Sequence, residues 1–256
     1  MDDEKYAKGL KYYETEYYSA YSGEQAVGEI DPDYIYFPQA FERIQHDLNI
    51  DNIKLIMIFR NPIDRAFSHY LMTYRRGIET LDFQDAIEQE NNRLNQNFFE
   101  RMHFSYIDRG FYARDLKRIL AIVPKRKFLF LESNELKMNP HDVVRRCLIF
   151  LGVDPELAPN RLGILHHTAA VPHFPGIIRW LRRDSRLKLV LKTLMPIKSL
   201  RSAARSKLIA ANEKPAGNMK VDPVLRHSLV DRYRKDIECL EDITGLNLSE
   251  WYAGKT

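Results

Sequence analysis

Thiols are almost absent: Cys147 and Cys239 are the only cysteines in 256 residues. Two cysteines cannot build a disulfide framework, and no Cys-x-x-Cys pair is present to hold zinc or run dithiol chemistry. A reducing compartment suits such a chain, so the expected location is cytoplasmic. Long apolar runs are missing too. The longest uncharged stretch, Leu162 to Ile178, contains three histidines and two prolines and falls short of the roughly 20 apolar residues a spanning helix needs. The first residues, Met1-Asp2-Asp3-Glu4, are acidic where a secretory leader has a positive region followed by an apolar one. Charge of one sign is also lacking. Lys and Arg number 39 against 35 Asp and Glu, a net +4 too mild to argue for a nucleic-acid partner.

What is present describes a globular chain. Hydrophobic residues at 45% and charged residues at 29% exclude wholesale disorder and collagen-like repeats. The length fits one large domain or two small ones with a sizeable core.

The order of elements reads as α/β. A tyrosine-rich helix over about 3–21 precedes a short strand at 26–30 and a helix near 38–48. The apolar run at 54–59 and its counterpart at 127–132 have the length and composition of buried parallel strands. Asn61-Pro62 opens a helix that carries Ile63, Ala66, Phe67, Tyr70 and Leu71 at helical spacing and stops near Gly77, with proline at a first-turn position. Further helices are expected from Asp82, over 110–122, from Pro140 to Leu151 with Gly152 as its C-terminal cap, and over 223–244. Strands alternating with helices imply a mainly parallel sheet flanked by helices. The segment 154–175, with four prolines, separates an α/β core over 1–153 from a helical C-terminal part over 154–256.

That C-terminal part holds the one charge run. From Arg179 to Lys207 there are ten basic residues against a single acid, Asp184. Leucines and Trp180 run through them, so the pattern is a basic amphipathic helix over about 177–210. It fits peripheral contact with an anionic membrane surface or an acidic ligand, and equally a solvated helix docked by its apolar stripe.

Two segments point to chemistry. In Phe59-Arg-Asn-Pro-Ile-Asp-Arg-Ala-Phe-Ser-His-Tyr70, Arg60 stands at the carboxyl end of an expected strand, where ligands of open α/β sheets bind. A guanidinium there offers a planar fork to a phosphate, and Ser68 on the next helix offers a hydroxyl. A strand-end arginine paired with a neighbouring carboxylate explains the same position. In Gly28-Glu-Ile-Asp-Pro-Asp-Tyr34, Asp31 and Asp33 read as turn and cap residues beside Pro32. Glu29, inside the expected strand, is a candidate general base. His166, His167 and His173 have no carboxylate at ligand spacing and read as a loop cluster, so no metal is expected. Cys147 and Cys239 fall on helix faces as small hydrophobes.

These segments, with Gly-Leu-Lys-Tyr-Tyr at 9–13, Gly-Phe-Tyr-Ala-Arg-Asp-Leu at 110–116, the Phe-Leu-Gly that ends 140–152 and Leu246 to Trp251, resemble successive landmarks of a sulfotransferase domain. The resemblance is to the branch with heparan sulfate sulfotransferases and bacterial relatives. It implies a fold related to P-loop kinases and the donor 3′-phosphoadenosine-5′-phosphosulfate (PAPS). It further implies that Arg60 and Ser68 bind the donor's 3′-phosphate, that Glu29 takes the acceptor's proton, and that Lys214, Gly217 and Lys220 belong to a loop over the donor. The acceptor it implies is a hydroxyl or amine on a glycan, lipid or small metabolite. The family's Gly-Glu-Lys-Ser/Thr-Pro-x-Tyr element departs here, with Ile30 in place of lysine and Asp31 in place of the hydroxyl residue.

The family's first strand and its 5′-phosphosulfate loop precede the Gly-Leu-x-Tyr-Tyr element, and only eight residues precede Gly9 here. The sequence is therefore expected to be a fragment, or a product whose start lies upstream. Two other readings stand beside the enzyme: a non-catalytic nucleotide-binding relic of the fold, and a peripheral membrane protein acting through the basic helix.

Overall fold

A computed structural model describes residues 3–159, 170–172, 211–215 and 219–253. The chain divides into two compact units. The first comprises Met1–Arg60, Phe111–Gly163 and Lys235–Leu248; the second comprises Asn61–Gly110, Ile164–Arg234 and Ser249–Thr256.

The first unit contains the parallel pair. Strand β1 (Leu55–Phe59) runs alongside β2 (Phe128–Glu132), in register from Leu55↔Phe128 to Phe59↔Glu132. Both are short apolar runs, as parallel strands between helices require. Phe59 stacks towards Phe130 at 6.1 Å and Tyr112 at 5.3 Å between ring centroids. Leu131 is fully buried, whereas Ile58 is half exposed, so β1 is less enclosed than its composition suggests.

Helices α1 (Asp3–Tyr6), α2 (Leu10–Tyr17) and α3 (Pro38–Asp47) precede β1. The single N-terminal helix expected over 3–21 is broken, because Gly9 adopts φ 80°, a left-handed geometry open to glycine at little cost. The strand expected at 26–30 does not form. These residues are irregular and exposed, and without a neighbouring strand an extended segment has no ladder to join.

Later in the same unit, the buried face of a helix over Tyr112–Leu120 carries Ala113, Leu116 and Ile119. Its first turn is capped from a distance: Asp236 accepts from the amides of Ala113 (3.0 Å) and Arg114 (3.1 Å). The helix over Pro140–Leu151 starts on its proline and stops at Gly152, which is left-handed at φ 83°. Ile237, Leu240 and Leu248 close this core.

The second unit is organised by α4 (Pro62–Arg75). Asn61 caps it by accepting from the amides of Ile63 (3.0 Å) and Asp64 (3.4 Å), and its own Nδ2 donates to the Trp251 carbonyl at 3.4 Å. Short helices α5 (Phe83–Glu88), α6 (Glu90–Leu94) and α7 (Phe98–Phe104) follow, α5 capped by Asp82 and α7 by Asn97. Tyr106 is the buried centre: its hydroxyl meets Thr73 at 2.7 Å and Glu79 at 3.0 Å. Glu79 is 2% exposed and pairs with Arg93 at 2.6 Å. Glu90, also buried, accepts from the amides of Ile107 and Asp108, each at 2.7 Å. Arg226 pairs with Asp64 at 2.9 Å. Two three-residue strands, Ala170–Pro172 and Glu213–Pro215, pair antiparallel.

The helix over Pro223–Thr244 has the bounds expected of it and contributes residues to each unit. Among the described residues no helix is long and apolar enough to cross a membrane. The basic helix expected over 177–210, and the histidines at 166, 167 and 173, lie outside the described residues.

Candidate active site

Glu29 is placed by its neighbours in sequence. Gly9 ends α1 and starts α2, which projects Tyr13 one turn along. After Glu29 the chain turns at once: Asp31 Oδ1 accepts from the amide of Asp33 at 2.8 Å, and the amides of Tyr36 and Phe37 return to the Asp33 carbonyl at 3.1 Å. Asp31 and Asp33 are thus the turn residues the sequence suggests, with Pro32 fixing the corner. This turn brings Tyr34 back to Glu29. The Tyr34 hydroxyl donates to Oε1 of Glu29 and the Tyr13 hydroxyl to Oε2. Burial, then the bond to the carboxylate, pushes both phenols above their ordinary range, so both remain donors.

The carboxylate is held but not consumed. Each oxygen has two lone pairs, one used by a phenol and one left for an incoming hydroxyl. Glu29 itself is exposed. Tyr17 and Tyr18 lie against Tyr13, with ring centroids at 5.1 and 5.6 Å, and Lys5 donates to the Tyr17 hydroxyl at 3.1 Å. The two tyrosines are what sequence reasoning missed as site residues. Their signal was the aromatic density of the Gly-Leu-Lys-Tyr-Tyr and Asp-Pro-Asp-Tyr elements.

Arg60 follows the last residue of β1. Tyr112 pins its backbone by donating to its carbonyl at 3.0 Å. The side chain is exposed, and among the described residues no carboxylate is placed in an ion pair with its guanidinium. An open guanidinium at a strand end is suited to a phosphate.

Ser68, in the second unit, is exposed on α4. The same helix turns Arg65 inward to donate to the Tyr106 carbonyl. His69 is packed against Tyr106, 5.1 Å between centroids, and burial, reinforced by nearby arginines, holds its pKa down at about 2. His69 is therefore held neutral where it packs against Tyr106.

The loop residues fare unevenly. Lys214 is in the strand Glu213–Pro215, opposite Val171; Lys220 is exposed; Gly217 lies outside the described residues. Among the described residues no group of three or more His, Cys, Asp or Glu could hold a metal ion. Cys147 and Cys239 are half-buried, less enclosed than core thiols.

The model of the sulfotransferase domain family matches residues 5–170, more than half of the chain. Heparan sulfate glucosamine 3-O-sulfotransferase 6 of Homo sapiens is 29% identical over 156 residues, 59% of this chain and 42% of that protein. Heparan sulfate glucosamine 3-O-sulfotransferase 5 of Mus musculus is 26% identical over 166 residues, 63% of this chain and 45% of that protein. The chain thus spans less than half the length of these relatives. A crystal structure of a sulfotransferase from Alicyclobacillus acidocaldarius superposes with a TM-score of 0.64 at 23% identity, covering 98% of this chain and 74% of that one. The fold is therefore the α/β, P-loop-like arrangement expected from the sequence, and the chain belongs to the sulfotransferase domain family.

Proposed function

We propose that this chain transfers a sulfuryl group from PAPS to the hydroxyl of an acceptor. The observation that carries the reading is Glu29, an exposed carboxylate oriented by two phenols, Tyr13 and Tyr34. The acceptor oxygen forms a bond to sulfur in line, the bond from sulfur to the 5′-phosphate oxygen breaks, and the acceptor proton passes to Glu29. The leaving group is adenosine 3′,5′-bisphosphate. As in phosphoryl transfer, positioning and charge stabilisation supply most of the rate. Arg60 donates to the 3′-phosphate and Ser68 adds a hydroxyl donor. Lys214, Gly217 and Lys220 belong to a loop over the donor. Support for these roles comes from the order and spacing of the family's landmarks, and from the exposure of Arg60, Ser68 and Lys220.

The test is calorimetric titration with adenosine 3′,5′-bisphosphate, paired with radiolabelled sulfate transfer from PAPS. Binding on the order of micromolar is expected. Arg60→Ala should weaken it ten- to a hundredfold, the range of a charge-assisted hydrogen bond. Glu29→Gln should leave nucleotide binding intact and abolish transfer. A folded chain that does not bind the nucleotide, or an Arg60→Ala variant that binds it as tightly, refutes the reading.

A further inference from the structure

The acceptor's chemistry can be narrowed by what surrounds Glu29. Between Lys11 and Arg43 the chain has no Lys, Arg or His, while Glu14, Glu16, Glu24, Glu29, Asp31, Asp33 and Glu42 put seven carboxylates into that stretch. Among the groups that push the Tyr34 phenol upward are the carboxylates of Glu29 and Asp31. Of the first unit's cations near this segment, Lys5 donates to the Tyr17 hydroxyl, Lys8 lies over the Tyr12 ring at 4.5 Å, Arg43 pairs with Asp3 at 2.6 Å and Arg118 donates to the carbonyls of Ile35 and Tyr36, while Lys11 is exposed at the segment's N-terminal edge.

Beside its carboxylates this segment exposes apolar side chains. Ile30, adjacent in sequence to the candidate base, is 99% exposed, and Val27 is 52% exposed. Tyr17 and Tyr21 are also exposed. Exposed apolar side chains flanking polar groups are the pattern of a surface that receives a part-apolar ligand.

We infer that the acceptor presents its hydroxyl to Glu29 on an uncharged, part-apolar carrier, with Val27 and Ile30 receiving the apolar part, and not on a polyanionic saccharide. The inference rests on the reading of Glu29 as the base, and it specifies the acceptor that base serves. A polyanion meets Glu29, Asp31 and Asp33 with no compensating cation in the segment, whereas an uncharged alcohol meets only its hydrogen-bond partner and two aliphatic side chains. Like charges placed together discriminate against a ligand as effectively as contacts select one.

The test is a matched pair of small probes that differ in one charge: octyl β-glucoside and octyl β-glucuronide, each below its micellar concentration. Their binding is followed by isothermal titration in low salt. The glucoside should bind about five- to tenfold more tightly, the discrimination expected from three carboxylates acting through water. Ile30→Lys, at a fully exposed position where folding is indifferent, should erase or reverse that preference. Ile30→Ser should weaken both probes alike. Equal or tighter binding of the glucuronide overturns the inference, as does a preference unmoved by Ile30→Lys, or no binding of either probe. Titration with adenosine 3′,5′-bisphosphate reports separately on the donor reading. Failure there with the probe preference intact sinks sulfuryl transfer alone.

Discussion

Gly110 is expected to tolerate no side chain, and the size of the penalty follows from one contact. A Cβ at this position would lie 2.5 Å from the Tyr233 hydroxyl oxygen, 2.7 Å from Cζ and 2.8 Å from Cε1. Ordinary carbon contacts sit about 3.5–4.0 Å apart, so the ring would have to retreat by roughly 1 Å. Tyr233 has nowhere to go. It is fully buried, and its hydroxyl donates to the Ile107 carbonyl at 2.7 Å. Overpacking of this kind costs about 1–3 kcal/mol, and stranding the Ile107 carbonyl about 1–3 kcal/mol more. Removing a glycine's freedom from the unfolded chain returns about 0.4–1 kcal/mol. The net expectation for Gly110→Ala is a loss of about 2–4 kcal/mol, read from the midpoint of urea unfolding. Tyr233→Phe alone removes the hydrogen bond and should cost about 1 kcal/mol. The double variant still faces Cζ and Cε1, so it stays destabilised, but both single changes lose the same hydrogen bond. Their combination should therefore fall short of the sum by about 1 kcal/mol. A Gly110→Ala variant within 0.5 kcal/mol of the parent, or strictly additive changes, would refute the reasoning.

Two further outcomes are expected in the same unit. Burial, partly offset by the amides of Asp108 and Ile107, raises the pKa of Glu90 to about 7. In the unfolded chain this carboxyl ionises near pH 4.5, so folding stability should fall as pH rises from about 4.5 to 7, by on the order of 2–3 kcal/mol. Glu90→Gln should flatten that slope in urea melts across the range, and an unchanged slope would assign it to other groups. Arg93→Ala should cost about 3–5 kcal/mol, because it leaves the Glu79 carboxylate buried without its countercharge. Adding Glu79→Gln should restore part of the loss, and a mild single variant would mean that the amides of Thr80 and Leu81 suffice to hold the charge.

Elements with local start and stop signals were legible in the sequence. The helices over Pro140–Leu151 and Pro223–Thr244 begin on prolines, and the first ends on a glycine forced left-handed, so their bounds need no tertiary information. The paired strands were visible as short apolar runs between helical patterns. Errors arose where a non-local condition decides. The segment 26–30 has strand-like composition, but a strand exists only with a partner. Gly9, inside an otherwise helical pattern, permits either a weakened helix or a break, and its φ chooses the break.

The carboxylates divide in the same way, and the division explains why the site was only half legible. Glu29 stood out because Gly-Glu-Ile-Asp-Pro-Asp-Tyr is a local pattern that a family resemblance can match. Of its two phenols, Tyr34 closes the same pattern five residues on, whereas Tyr13 is sixteen residues away and reaches it only because Gly9 redirects α2 and the Asp31–Asp33 turn reverses the chain. Glu79, in the connection between α4 and α5, and Glu90, at the start of α6, have no local pattern that sets them apart from solvated carboxylates. They are buried because a distant arginine, a tyrosine hydroxyl and two backbone amides converge on them. Local signals therefore mark where a reacting group sits along this chain. Which neighbours orient it, and which carboxylates are structural, follows from turns and caps that act over tens of residues. The landmark Gly-Phe-Tyr-Ala-Arg-Asp-Leu at 110–116 carries both kinds of information. Its glycine is there because Tyr233 presses on it, and the Tyr112 hydroxyl fixes the backbone of Arg60, the residue on which the donor reading depends.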